Sequence, residues 1–141
     1  MKNSILSLIA LCFSLTIYAH GFVGSISKDE TNDRPITFPD TQKHKTLVTD
    51  LHTHSVFSDG HVWPNIRVGE ALRDGLDVLA VTEHLEYQPH NKDIPHTNRN
   101  RSYEEAKMAA SNKNIIIING SEITRDMPPG HVNAVFIKDA N

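Results

Sequence analysis

The sequence of 141 residues contains a single cysteine and no long run of charge of one sign. That cysteine, Cys12, lies in an apolar N-terminal stretch, so the rest of the chain has no thiol with which to form a disulfide. Its stability must therefore come from a hydrophobic core and from whatever the chain binds. The net charge of −3, with 22% charged residues, gives no electrostatic basis for a nucleic-acid partner. Internal repeats and low-complexity tracts are also absent from the sequence.

The one long apolar stretch is too short to cross a bilayer comfortably. It runs from Ile5 to Tyr18, follows the basic residue Lys2 and ends in small residues near Ala19. This pattern is typical of a secretory signal peptide. It predicts that residues 1–20 direct export to the periplasm or the extracellular space, with no transmembrane segment after the signal is removed. Retention of the stretch as an N-terminal anchor is the alternative.

Residues 21–46 are polar, contain two prolines and show no sustained periodicity. We interpret them as an extended N-terminal arm. The folded part is predicted to comprise residues 47–141.

Apolar runs alternate with helical patterns in this folded part. The predicted elements are a buried strand from Val48 to His52, a helix opened by Pro64 and ended at Gly75, a strand from Val78 to Val81, a helix capped by Ser102 with Glu105, a strand from Ile115 to Ile118, and a strand from His131 to Ile137. This order predicts an α/β fold with parallel strands.

Nine histidines are the unusual feature of the composition, and several of them follow predicted strands. His52 and His54 are two residues apart, so a strand would direct both side chains to one face. Two neighbouring imidazoles can bind a divalent cation through neutral nitrogens. Asp59 follows in a Ser-Asp-Gly turn, which can fold its carboxylate over the same pocket. By itself, an ordinary histidine pair at a strand end explains the pattern equally well.

His84 and Glu122 follow the next two predicted strands. Three successive strands therefore each deliver a side chain of a metal-binding type at the carboxyl end. In βα barrels these ends converge on one face, where active sites lie. A core or loop role explains each residue taken alone, whereas their common placement favours a metal site.

Four short motifs together resemble the first four motifs of the PHP (polymerase and histidinol phosphatase) superfamily, which is related to the amidohydrolases. They are Asp50–Ser55 with Ser58–Gly60, Val81–His84, Gly120–Thr124 and Gly130–Asn133. The resemblance covers roughly residues 47–137. It implies the first half of a distorted (β/α)7, TIM-like barrel, truncated after about four strands.

The resemblance also implies a metal-dependent phosphoesterase that hydrolyses phosphomonoesters or phosphodiesters at a site with two or three divalent ions. The implied metal ligands are His52, His54, Asp59, His84, Glu122 and His131. Asp59 and Glu122 are the implied catalytic residues, with Glu122 bridging two ions. Histidines with carboxylates suit Zn, Mn or Fe. The implied partner is a small phosphoester, and the oligomeric state is left open.

The sequence departs from the family pattern in two places. The second motif usually reads Thr-Asp-His, and Glu83 replaces the Asp, which predicts an altered orientation of neighbouring ligands without loss of metal. The family's later ligands have no counterpart before Asn141, and a βα barrel typically needs about 250 residues. We therefore expect an N-terminal fragment of a longer reading frame or a natural truncation.

The segment from Leu85 to Arg101 is longer than a typical βα loop and resembles that of secreted phosphodiesterase-like family members. Arg99 or Arg101 could clamp a substrate phosphate through paired hydrogen bonds, although a solvated basic loop is an equally good interpretation. Two other functions stay open for the chain as a whole. One is an amidohydrolase-like metal-dependent hydrolase, and the other is a catalytically incomplete metal-binding fragment.

Overall fold

The described part of the chain comprises residues 36–126, 128 and 130–141 of a computed structural model. The predicted signal peptide and most of the predicted arm lie outside these residues. The elements are β1 (Thr49–Thr53), α1 (Pro64–Arg73), β2 (Val78–Val81), α2 (Arg101–Ala109), β3 (Ile116–Ile123) and β4 (Val132–Val135). Within these ranges, no helix combines the length and hydropathy that a membrane crossing needs.

The four strands form one mixed sheet in the order β1-β2-β3-β4. The first three strands are parallel, as predicted, because α1 and α2 return the chain to the same end of the sheet. All four residues of the central strand β2 are buried. The prediction of a parallel arrangement is wrong for β4, which pairs antiparallel with β3. Only residues 124–131 join these two strands, whereas a parallel crossover needs a dozen residues or more.

The helix α1 begins and ends as the sequence predicts. Pro64 occupies the first turn, and Gly75 has a φ of 75°, the left-handed conformation that glycine adopts readily. Both helices pack on the sheet through a cluster of buried apolar residues, which comprises Val68, Ala71, Leu79, Val81, Ala106 and Ala110. This cluster is the main core of the described chain.

The predicted capping box of α2 is not formed. Asn100 is the N-cap residue, no side chain caps the helix, and Ser102 lies buried inside the first turn. The Asn100 amide instead accepts hydrogen bonds from Asn119 Nδ2 and the Ala140 backbone and donates to Asp139. These contacts connect the start of α2 to β3 and to the C-terminal residues.

The strand β1 was expected to be buried, but three of its five residues are exposed. It lies at the edge of the sheet, where Leu51 remains 39% exposed. One face of the sheet forms an apolar groove of about 510 Å³, lined in part by Leu47, Leu51, Ile116 and Phe136. The chain therefore folds as a curled half-barrel with an open apolar face.

Candidate metal centre

The carboxyl end of the parallel strands brings together all six residues that the resemblance implied as ligands. Their ligand atoms form three overlapping groups, each within 4.8 Å: His52, His54 and Glu122; His54, Asp59 and His84; His84, Glu122 and His131. His52 and Glu122 lie within β1 and β3, and His54 directly follows β1. Asp59 lies in the turn after β1, His84 lies three residues beyond β2, and His131 directly precedes β4. Convergence of strand ends therefore assembles the cluster, as the sequence predicted.

A continuation of the sheet sets the relative position of His84 and Glu122. The Glu122 backbone N–H donates to Glu83 O, and Leu85 N–H donates to Glu122 O, both at 2.9 Å. His84 and Glu122 consequently form a parallel bridge beyond the end of β2. The His84 and Glu122 side chains thus lie close together because their backbones are paired.

A register shift in β1 lies beside His52, the residue of this strand that contacts Glu122. Asp50 pairs with Leu79 and Thr53 with Val81, so β1 has one residue more than β2 across this interval. Such a bulge bends a strand and re-aims its side chains, often beside a functional site. Simple strand alternation, from which the common face of His52 and His54 was predicted, does not reveal this bulge.

The first group is the tightest. His52 Nε2 and His54 Nε2 lie 2.8 and 3.0 Å from Glu122 Oε2, and the two nitrogens lie 2.9 Å apart. These separations approach the roughly 3.3 Å between neighbouring ligands that a tetrahedral ion with 2.0–2.1 Å bonds requires. Lone pairs that face one another this closely need a shared proton or a cation between them. The donor set therefore fits a divalent metal ion.

Glu122 connects two of the groups through opposite oxygens. Its Oε2 faces His52 and His54, whereas its Oε1 contacts His131 Nδ1. The residue is 1% exposed, and no lysine or arginine of the described chain pairs with it. Burial by itself would raise the pKa of this carboxyl, but the hydrogen bonds from His52 and His131 and the neighbouring His84 hold that pKa below its usual value. Glu122 is thus ionised and placed as a bridging carboxylate would be.

Asp59 joins the second group from the side of solvent. Its two carboxylate oxygens lie 3.5 Å from His54 Nδ1 and 3.5 Å from His84 Nε2, and its side chain is 41% exposed. The His54 and His84 rings stack with centroids 4.5 Å apart. Burial, followed by the proximity of His84, lowers the pKa of His54 from its ordinary value. His54 therefore favours the neutral form, which is the form that binds metal.

A close backbone contact holds the turn that carries Asp59. A Cβ atom on Gly60 would lie 2.7 Å from the carbonyl carbon and oxygen of His54 and from Ser55 N. Arg67 Nε donates to the same His54 carbonyl at 2.9 Å, which ties α1 to the turn. The glycine of the Ser-Asp-Gly turn is thus needed because the turn lies directly against the His54 backbone.

Three polar residues beside the cluster received no role from the sequence. Ser55 and Ser58 are buried and donate to the Glu83 carboxylate, and Thr124 Oγ1 lies 2.5 Å from His84 Nδ1. All three belong to the motifs quoted above, but a motif does not show which hydroxyl faces which imidazole. No histidine hydrogen-bonds to the Glu83 carboxylate directly, but Ser58 connects that carboxylate to His54 Nδ1.

Arg99 and Arg101 lie outside the three groups, and both guanidinium groups have partners within the chain. Arg99 Nη1 donates to the Leu85 carbonyl. Arg101 lies over the Phe57 ring at 5.1 Å, and its Nε is 3.8 Å from Glu105. Their predicted role in phosphate binding stays a prediction.

Comparison with known proteins assigns this arrangement to a family. The PHP domain matches residues 50–138, whereas no curated protein matches the chain. A two-domain protein from Bacteroides vulgatus containing a predicted PHP-like metal-dependent phosphoesterase is 50% identical, with a TM-score of 0.73 over 79% of this chain and 32% of that chain. A protein from Bifidobacterium adolescentis, described as a metal-dependent phosphoesterase, is 25% identical, with a TM-score of 0.46 over 64% of this chain and 27% of that chain.

This chain thus spans less than a third of the length of either solved relative. The structural likeness to the Bacteroides protein confirms the predicted α/β, TIM-like half-barrel. The family match covers most of the chain and includes all six clustered residues. The chain belongs to the PHP domain family.

Proposed function

We propose that this chain provides the metal-binding edge of a phosphoesterase that hydrolyses a small phosphomonoester or phosphodiester. The observation that carries the proposal is the buried Glu122 carboxylate, whose two oxygens face different histidine groups. A carboxylate in this position can hold two cations side by side. Two-metal sites are characteristic of enzymes that displace a leaving group from phosphorus.

The two carboxylates of the cluster have distinct tasks in this proposal. Divalent ions at the cluster would lower the pKa of water and neutralise charge on the phosphoryl oxygens. Glu122 keeps the histidine groups together from a buried position, whereas Asp59 is exposed enough to meet the solvent and the substrate. Asp59 Oδ1 and Oδ2 can accept hydrogen bonds from an attacking water and so orient it. The chain's own hydroxyl groups need not act as nucleophiles.

Metal binding by the 141-residue chain tests the proposal most directly. Zn²⁺ and Mn²⁺ affinities are measured by calorimetry for the wild-type chain, Glu122→Gln and His52→Ala. Removal of one ligand is expected to weaken binding by at least about tenfold, which is the lower bound for loss of an outer-shell partner. His44→Ala is the matched control, because His44 is an exposed histidine outside the cluster. Equal affinities for all four chains would show that the cluster does not hold the metal.

A substrate panel addresses the reaction. Nitrophenyl phosphate monoesters and diesters are compared with an amide and a lactone, each with and without added metal. Hydrolysis of a phosphoester above the Glu122→Gln background is the expected result. Hydrolysis confined to the amide or the lactone would instead identify an amidohydrolase-like enzyme.

A further inference from the structure

Behind the metal-capable cluster lies a second carboxylate, Glu83, which is only 7% exposed. None of the ion pairs among the described residues includes it. Four hydrogen bonds from two buried serines satisfy its oxygens instead. The Ser55 backbone N–H donates to both oxygens at 3.1 Å, the Ser55 hydroxyl donates to Oε1, and the Ser58 hydroxyl donates to Oε2 at 2.5 Å. A buried carboxylate with this many donors is held firmly in place.

The direction of the Ser58 hydrogen bond follows from the inventory of donors. A serine hydroxyl has one proton and two lone pairs, and the Ser58 hydroxyl donates to Glu83 Oε2. The Ser58 proton is therefore committed to Glu83, and the Ser58 lone pairs remain for other partners. His54 Nδ1 lies 3.2 Å from Ser58 Oγ. This nitrogen must then donate, so it carries the proton of the neutral imidazole.

Asp59 supports the same assignment. Its Oδ1 lies 3.5 Å from His54 Nδ1, and a carboxylate oxygen also accepts. This separation is too long for a strong hydrogen bond, so the Ser58 contact is the dominant one. With the proton on Nδ1, the Nε2 atom of His54 has a free lone pair. Glu122 Oε2 is a further acceptor 3.0 Å from this Nε2, but His52 Nε2 lies within 2.9 Å of both atoms and can place its own proton between them.

We propose that Ser58 and Glu83 act as positioning residues that fix the tautomer and the ring orientation of His54 through the chain of hydrogen bonds from His54 Nδ1 to Ser58 Oγ to Glu83 Oε2. We call this chain of hydrogen bonds the relay, and its role in metal binding rests on the proposed function. The tautomer itself is a property of the metal-free chain. Outer partners of this kind orient metal-binding histidines, and their loss weakens metal affinity about 10–100-fold.

The two serines provide a matched pair of variants. Both hydroxyls are buried and both donate to Glu83, but only Ser58 contacts an imidazole. Ser55→Ala and Ser58→Ala therefore remove the same group from the same carboxylate. A purely structural role of the Glu83 cluster would make the two variants equivalent, whereas the relay makes them different.

Nitrogen-15 NMR of the histidine side chains in the metal-free 141-residue chain reads the tautomer directly. Wild-type His54 is expected to be protonated on Nδ1. Ser58→Ala should shift the population toward the Nε2–H form, and Ser55→Ala should leave it unchanged. Zn²⁺ titration should then show affinity about 10–100-fold weaker for Ser58→Ala, with little change for Ser55→Ala.

Glu83→Gln provides an independent test that keeps the shape of the side chain. The Ser55 N–H and hydroxyl would select the amide oxygen, so the amide NH₂ would face Ser58 and donate to it. The Ser58 proton would then turn toward His54 Nδ1, which must accept. The relay is thereby reversed, and the proton of His54 is expected on Nε2.

Three results would overturn the relay: wild-type His54 protonated on Nε2, equal effects of the two serine variants, or an unchanged tautomer in Glu83→Gln. Circular dichroism identifies any variant that fails to fold, and the wild-type tautomer decides the question without the variants. Failure of the wild-type chain to bind Zn²⁺ would defeat the proposed function and leave the tautomer result intact. The two proposals can thus fail separately.

Discussion

At the scale of single residues, the pKa values of Glu122 and His54 are both shifted in the same direction from their ordinary values. The pKa of each is lowered, for Glu122 because hydrogen bonds from His52 and His131 outweigh its burial, and for His54 chiefly because of burial. Both groups therefore bind fewer protons in the folded chain than in the unfolded chain. Folding stability that depends on them must increase with pH.

We predict that the metal-free chain loses stability in two steps as the pH falls. The first step begins near 6.5, the ordinary pKa of histidine, as unfolded His54 takes up its proton, and it ends at the lower pKa of folded His54. The second begins near 4.5, the ordinary pKa of glutamate, and ends below it as folded Glu122 is protonated. Urea unfolding across this range measures the effect, and Glu122→Gln should lack the second step. Stability that is constant from pH 7 to pH 4 would contradict the prediction.

At the scale of elements, the turn between β1 and α1 has the most demanding local geometry at the site. Gly60 lies against the His54 backbone, and Asp59 extends from the same turn toward His54 and His84. The position of Asp59 thus depends on how closely two backbone segments approach. Sequence reasoning identified the turn from its Ser-Asp-Gly residues, but not the contact that makes the glycine necessary.

We predict that Gly60→Ala destabilises the chain by about 1–3 kcal/mol, because the new methyl group would overlap the His54 and Ser55 backbone. Displacement of the turn should also move Asp59 and weaken metal binding. Chemical unfolding and Zn²⁺ calorimetry measure the two effects. Gly69→Ala is the control, because the same change inside α1 is expected to stabilise the helix by up to about 1 kcal/mol. Equal effects of the two substitutions would show that the contact at Gly60 is unimportant.

Among the larger elements, the sequence predicted the order of strands and helices correctly. The exceptions are the direction of β4, the exposure of β1 and the N-cap of α2. Apolar periodicity indicates which residues face a core, but it does not indicate which strand pairs with which, or whether the pairing is parallel or antiparallel. The short connection before β4 could have indicated the antiparallel pairing.

At the scale of the whole molecule, the cluster lies on an open half-barrel. We expect the 141-residue chain to turn over phosphoesters slowly, with a kcat below about 0.1 s⁻¹ compared with a median near 10 s⁻¹ for enzymes. A site held by one side of a barrel positions its ions loosely, and loose positioning lowers rates steeply. Steady-state assays of a monomeric sample with Mn²⁺ or Zn²⁺ measure this rate. Turnover at the median rate would identify this chain as a complete enzyme.

Export is the second prediction for the whole molecule. The stretch from Ile5 to Tyr18 resembles the apolar part of a signal peptide, and we propose that the chain is processed near Ala19. Expression in a bacterial host with N-terminal sequencing of the periplasmic product should give a start close to His20. A soluble cytosolic product that retains Met1 would exclude this processing.

The sequence by itself determined which side chains form the cluster and the order of the elements that carry them. The order of the elements and five of the six side chains follow from local patterns, since a buried strand and the polar residues after it are neighbours in the chain, whereas His131 came from the family resemblance alone. Only the tertiary structure decided which atoms face one another: the two oxygens of Glu122, the bulge beside His52, and the contact of Ser58 with Glu83, residues 25 positions apart. The physical reason is that a hydrogen bond depends on distance and direction between groups that only folding brings together.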